Sequence, residues 1–230
     1  SGTNYIVSVA GTSVKTRLQY VPAGVVDASL NGESVIVTGY AMGGSSSNLN
    51  TLAIEVKKDD SAPVATVLAQ WVFASADALN ATGGDTNSVI SRVGVTTALS
   101  HTPSNGSIYC GGWDGADVTE KYWLLTIPHS EAIPAGAKLT IAWNAWGTNT
   151  SPKTWFVEYS TDNATWEQIA TVTYKNSTND SHSQMITVSS EMASGTLYIR
   201  FMVDGTTSIG GGTVVSNGNS RMANIKISYE

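Results

Sequence analysis

The amino-acid sequence predicts an all-β protein, an antiparallel β-sandwich of jelly-roll type preceded by a small β-rich domain. Three observations carry this. Apolar and polar residues alternate with period two through almost every apolar segment. The runs are short and separated by turn residues, with 22 glycines and 6 prolines in 230 residues. Only 13% of residues are charged, so Ser, Thr, Asn and Gly must supply the polar surface, and these favour turns and strand faces over helix interiors. No helical stripe is evident; the segment 75–80 could form one helical turn.

Four strands are expected before residue 60. Tyr5, Val7 and Val9 alternate, as do Thr16, Leu18 and Tyr20. Val35–Val37 follow the turn Asn31-Gly32, and Leu52, Ile54 and Val56 complete the set. A unit of this size holds a marginal core; an immunoglobulin-like or partial-barrel arrangement suits it. Lys57 to Pro63 reads as a linker. The boundaries are therefore 1–60 for the small domain and 64–230 for the sandwich. In the second, strands are expected at 69–74, 89–97, 107–110, 122–128, 139–146, 154–160, 167–174, 184–188, 197–203 and 222–229. Two packed antiparallel sheets accommodate so many short strands. The loop 205–220, with Gly210-Gly211-Gly212 and Asn217-Gly218-Asn219, is long enough to be either functional or mobile.

The charge balance excludes some functions. Net charge is −6 with no basic run, so nothing favours a phosphate backbone, and nucleic acid is not an expected partner. No stretch approaches 18 apolar residues, so no membrane-spanning helix is expected. The one cysteine, Cys110, cannot form an internal disulfide and reads as a small buried residue. His101, His129 and His182 lack zinc spacing and read as surface residues. No nucleophile elbow, phosphate loop or zinc-protease motif occurs, and no two carboxylates suggest a glycosidase pair. The chain is expected not to be an enzyme.

Two stretches carry a resemblance. Val157-Glu158-Tyr159-Ser160-Thr161-Asp162-Asn163-Ala164-Thr165-Trp166 resembles the hairpin of bacterial sandwich modules. Leu197-Tyr198-Ile199-Arg200-Phe201, followed by Asn219 to Ile225, resembles their closing strands, and Lys121-Tyr122-Trp123 fits the same pattern. Together these resemble the jelly-roll, galactose-binding-like and carbohydrate-binding modules of exported Bacteroidetes surface proteins, over about residues 71–230. Ala223 departs from the pattern, where such modules often carry Asp. The resemblance implies export to the cell surface or beyond, with a lipid anchor possible upstream of Ser1, and a glycan or polysaccharide as ligand. It also implies a possible structural calcium, although Asp114 and Asp117, spaced by three, do not belong to a calcium loop with the full ligand pattern; no other cofactor is implied. Asp60-Ser61-Ala62 matches that phylum's short O-glycosylation pattern.

Sugars stack their apolar C–H faces on aromatic rings while polar side chains hold the hydroxyls. Seven tryptophans can be sorted by alternation. Trp123, Trp143 and Trp155 fall on inward faces. Trp166 is expected to pack over its hairpin. Trp113, among glycines in a loop, and Trp146, on the face opposite Trp143, are the expected stacking platforms. Asp114, Asn149 and Arg200 are the expected hydrogen-bonding partners. Tyr198, Arg200 and Met202 point outward from one strand, with Asn224 and Lys226 beside them if the strands are neighbours. The leading function is non-catalytic glycan binding. The alternatives are a structural or adhesion module with a protein partner at the cell surface, or an accessory domain of a larger glycoside hydrolase.

Overall fold

A computed structural model describes residues 65–177 and 180–230 in full, together with four strand segments nearer the N-terminus. The chain divides into two compact units, Ser1–Pro63 and Val64–Glu230. In the first, β1 (Tyr5–Val9), β2 (Lys15–Thr16), β3 (Val35–Gly39) and β4 (Leu52–Lys58) form an antiparallel sheet in the order β2-β1-β4-β3. Leu18, Tyr20, the stretch from Asp59 to Val64 and the Asp60-Ser61-Ala62 tripeptide lie outside the described residues.

The second unit is an all-β sandwich. Its strands are β5 (Thr66–Trp71), β6 (Gly83–Gly84), β7 (Val89–Val93), β8 (Ser100–Thr102), β9 (Ser107–Cys110), β10 (Tyr122–His129), β11 (Lys138–Gly147), β12 (Thr154–Ser160), β13 (Glu167–Thr173), β14 (Ser181–Thr187), β15 (Gly195–Val203) and β16 (Ser220–Tyr229). One sheet runs β13-β12-β15-β10-β7 and the other β14-β11-β16-β5-β6, with β9 added on β16 and β8 on β9. All pairings within both sheets are antiparallel. Apart from the pairs β5–β6, β8–β9 and β12–β13, successive strands pass from one sheet to the other, as in a jelly roll. Among the described residues the only helical element is a 3-10 turn, Val118–Glu120; residues 75–80 make a turn instead.

Alternation drives this architecture. Leu197, Ile199, Phe201 and Val203 on β15, and Trp123, Leu125 and Ile127 on β10, are all fully buried. They meet Leu139, Ile141, Trp143, Ile225 and Ile227 of the other sheet in one core. The apolar surface removed from water here is the main stabilising contribution. The 205–220 loop is closely tied. Ile209 N–H donates to Ser151 C=O, Gly210 N–H to Asn149 C=O, and Val214 N–H to Thr206 C=O, while Ser208 and Val214 are buried. Glycine is required at Gly218, where a Cβ would lie 2.2 Å from the Thr150 carbonyl oxygen.

Two placements differ from the sequence expectation. Asn224 and Lys226 do not share a surface with Arg200, because β16 belongs to the other sheet. Asn224 is the extra residue of a bulge opposite Ala142–Asn144, with φ +46°, a conformation asparagine tolerates better than most residues. His129 is buried, not at the surface.

Candidate functional site

The expected tryptophan platforms are in the interior. Trp113 is fully buried. Gly112, at φ +84°, turns the chain back so that the indole enters the core. There its Nε1–H donates to the Cys110 carbonyl at 2.8 Å, and its ring packs against Trp123 and Trp155 at centroid distances of 5.3 and 5.1 Å. Trp146 is 5% exposed. It stands opposite Arg221 on β16, just before the stretch where the 147–153 and 205–219 loops are knit together by backbone hydrogen bonds. Neither ring can receive a sugar.

Asp114 and Asn149, the polar partners expected beside these rings, keep some of their surface open. Asp114 is partly buried, and its main-chain carbonyl accepts from the Lys121 ammonium, which also donates to the Gly112 carbonyl at 2.8 Å. Asn149 is exposed and accepts from the Asn176 amide at 3.0 Å. Calcium does not fit the 112–117 loop: a lysine ammonium already holds two of its carbonyl oxygens. Among the described residues no group of three or more His, Cys, Asp or Glu could hold a metal.

Arg200 and Tyr198 do share a partly open surface, the outer face of the β13-β12-β15-β10-β7 sheet. Register builds it in rows. Phe156 stands opposite Met202, and Met202 opposite Tyr122. Glu158, Arg200 and Leu124 form the next row, and Ser160, Tyr198 and Thr126 the third. At the centre Arg200 Nε donates to Glu158 Oε2 at 2.5 Å. The guanidinium lies 4.1 Å over the Trp166 ring and 5.3 Å from the Tyr122 centroid. It is a planar cation clasped between two aromatic rings. Phe156, Tyr198, Tyr122, Met202 and Trp166 each keep part of their surface open.

The hairpin between β12 and β13 fixes Trp166. The Asp162 carboxylate accepts from the backbone N–H groups of Thr165 at 2.7 Å and Ala164 at 2.8 Å, and from the Ser160 hydroxyl at 2.9 Å. These donors, the backbone of Thr165 first, hold it well below the usual carboxylate range. Asn163 takes φ +57° to close the turn. Six of the seven tryptophans are buried, and Trp166 is the exception.

Trp166 also borders a cleft of about 530 Å³ between this hairpin and the loop joining β14 to β15. Such a volume suits a small ligand. Eight of its lining residues carry a hydroxyl, among them Ser160, Thr165, Ser190 and Thr196. The Tyr159 hydroxyl donates to Glu167 Oε2 at 2.7 Å; burial first, and then this carboxylate, push the phenol up to about 12. His129 Nδ1 sits 2.9 Å from the Glu131 carbonyl. A carbonyl only accepts, so Nδ1 is the donor in this contact.

Tyr122, Phe156, Trp166 and His129 were not among the expected site residues. The first two were legible: Tyr122 alternates with inward Trp123, and Phe156 with inward Trp155, so both must face out. Trp166 and His129 depend on how a hairpin and a sandwich end fold, and no local signal announces that.

No family model and no curated protein matches the chain. Solved structures with a similar arrangement include carbohydrate-binding modules and the enzymatically active domain of a bacteriophage CBA120 tailspike protein, 13% identical with a TM-score of 0.36, covering 61% of this chain and 19% of that one. A structure described as "CBM4 structure and function" is 18% identical, with a TM-score of 0.37, covering 63% of this chain and 79% of that one. A CBM35 from Cellvibrio japonicus is 7% identical, with a TM-score of 0.32, covering 61% and 91%. CBM32-3 from a family 31 glycoside hydrolase of Clostridium perfringens is 14% identical, with a TM-score of 0.30, covering 55% and 76%.

Proposed function

We propose that the 64–230 unit is a non-catalytic glycan-binding module, acting at the surface of the cell or outside it. The observation that carries this reading is the open aromatic face around Arg200, with Trp166 joining it to a hydroxyl-lined cleft. Partly open rings offer apolar faces for pyranose C–H groups, and the hydroxyls and His129 offer donors and acceptors for sugar hydroxyls. The hairpin and the Leu197–Phe201 strand that carry the sequence resemblance are the segments that build this surface. Stacking therefore falls to Trp166, Tyr122, Phe156 and Tyr198, and not to Trp113 or Trp146.

Affinity electrophoresis through immobilised polysaccharides tests the reading. The full chain is expected to be retarded by at least one polysaccharide, and Trp166→Ala to lose that retardation while keeping its fold. A full panel of plant, fungal and host glycans that leaves mobility unchanged would overturn it. So would retention of binding by Trp166→Ala and Tyr122→Ala together.

A further inference from the structure

The charges around the cleft carry a second step, which rests on the glycan-binding reading above and concerns which glycans enter. Asp162, Glu167 and Glu191 line the cleft, and among the described residues no lysine or arginine does. The Asp162 carboxylate is held ionised by backbone N–H donors. The cation on the adjoining face is not available as a counter-charge. Arg200 is paired with Glu158 at 2.5 Å, and those side chains are only 17% and 10% exposed. The pair presents a neutral, rigid backing to Trp166 and no free positive charge. A ligand carboxylate or sulfate placed there would face three exposed like charges with no cation among the described lining residues, a repulsion that solvent and salt screen.

We infer that this cleft selects uncharged glycans and turns away uronic-acid-containing or sulfated chains. The recognition is by ring stacking and neutral hydrogen bonds. Binding of a neutral chain is then insensitive to salt. A polyanion meets repulsion that fades as the screening length falls from about 10 Å at 0.1 M salt to about 3 Å at 1 M.

The test compares mobility of the full chain in native gels containing neutral polysaccharides (xylan, galactomannan, mixed-linkage β-glucan) with gels containing polyanions (polygalacturonate, alginate, chondroitin sulfate). Trp166→Ala and Glu191→Lys are run beside it. The expected result is retardation by a neutral chain that is lost in Trp166→Ala and unchanged between low and high salt, with no retardation by the polyanions. In Glu191→Lys the ratio of polyanion to neutral binding rises by about threefold or more at low salt. Retardation by a polyanion that Trp166→Ala abolishes overturns the inference and leaves the glycan-binding reading standing. No retardation in any gel removes both.

Discussion

Removing the Arg200 side chain is the perturbation whose consequences follow most fully from the geometry. Glu158 is 8% exposed and has the guanidinium as its ion partner at 2.5 Å. Arg200→Ala therefore leaves a nearly buried carboxylate without its counter-charge. Breaking a fully buried pair in this way costs about 3–5 kcal/mol. Residual solvent access to both side chains puts the cost at the lower end, about 3 kcal/mol, with stacking on Trp166 and Tyr122 part of the same total. In a unit of this size that lowers the thermal midpoint by about 6–12 °C. Glu158→Ala should cost a comparable amount, and the double variant much less than the sum, giving a coupling energy of about 2 kcal/mol. Urea unfolding of the four proteins measures this. Arg200→Ala should also red-shift the native fluorescence, because the one tryptophan that is not buried loses its backing. A loss below about 0.5 kcal/mol with additive effects would refute the argument, since that is what an exposed, screened pair delivers.

Trp113→Ala should destabilise the protein by about 3–5 kcal/mol, because it empties a site walled by Trp123 and Trp155; denaturant titration reads this, and glycan binding per folded molecule should be unchanged. Lys121→Met removes the ammonium that holds the Gly112 and Asp114 carbonyls and should cost about 2 kcal/mol, while neither chelator nor millimolar calcium shifts the wild-type midpoint. His182 stacks on Trp143 at 5.3 Å, and burial lowers its pKa below the ordinary imidazole value of 6.5 despite Asp180 at 3.4 Å. A folded pKa below the unfolded one means that its contribution is complete above pH 6.5 and is lost as the pH falls through the folded value. Midpoints measured from pH 7.5 to pH 5 should therefore fall, and His182→Gln should flatten that dependence.

Much of the architecture was legible because strand alternation is a local rule with a global result. Trp123, Trp143 and Trp155 each sit among alternating apolar residues, and each is buried as that pattern requires. The site was less legible. Trp113 lies in a loop, where period-two reasoning has no meaning, between Gly112 and Gly115, both at positive φ. Trp146 is buried beyond the bulge, beside loops brought together from distant parts of the sequence. Alternation puts Arg200 on the outer face of β15, where it lies. Its pairing with Glu158 joins residues 42 positions apart, and its stacking on Trp166 depends on a hairpin folding back over the sheet. Such contacts are set by sheet order, which alternation does not determine.

Seven indole N–H groups give seven resonances in a nitrogen–proton correlation spectrum, and Trp166→Phe assigns the one from the only tryptophan that is not buried. Titrating the labelled protein with a soluble neutral oligosaccharide taken from a retarding polysaccharide tests the site directly. The Trp166 resonance should move in a saturable way while the other six stay in place. Saturable binding that shifts the Trp113 or Trp146 resonance and leaves Trp166 unmoved would contradict the assignment of this face as the ligand surface.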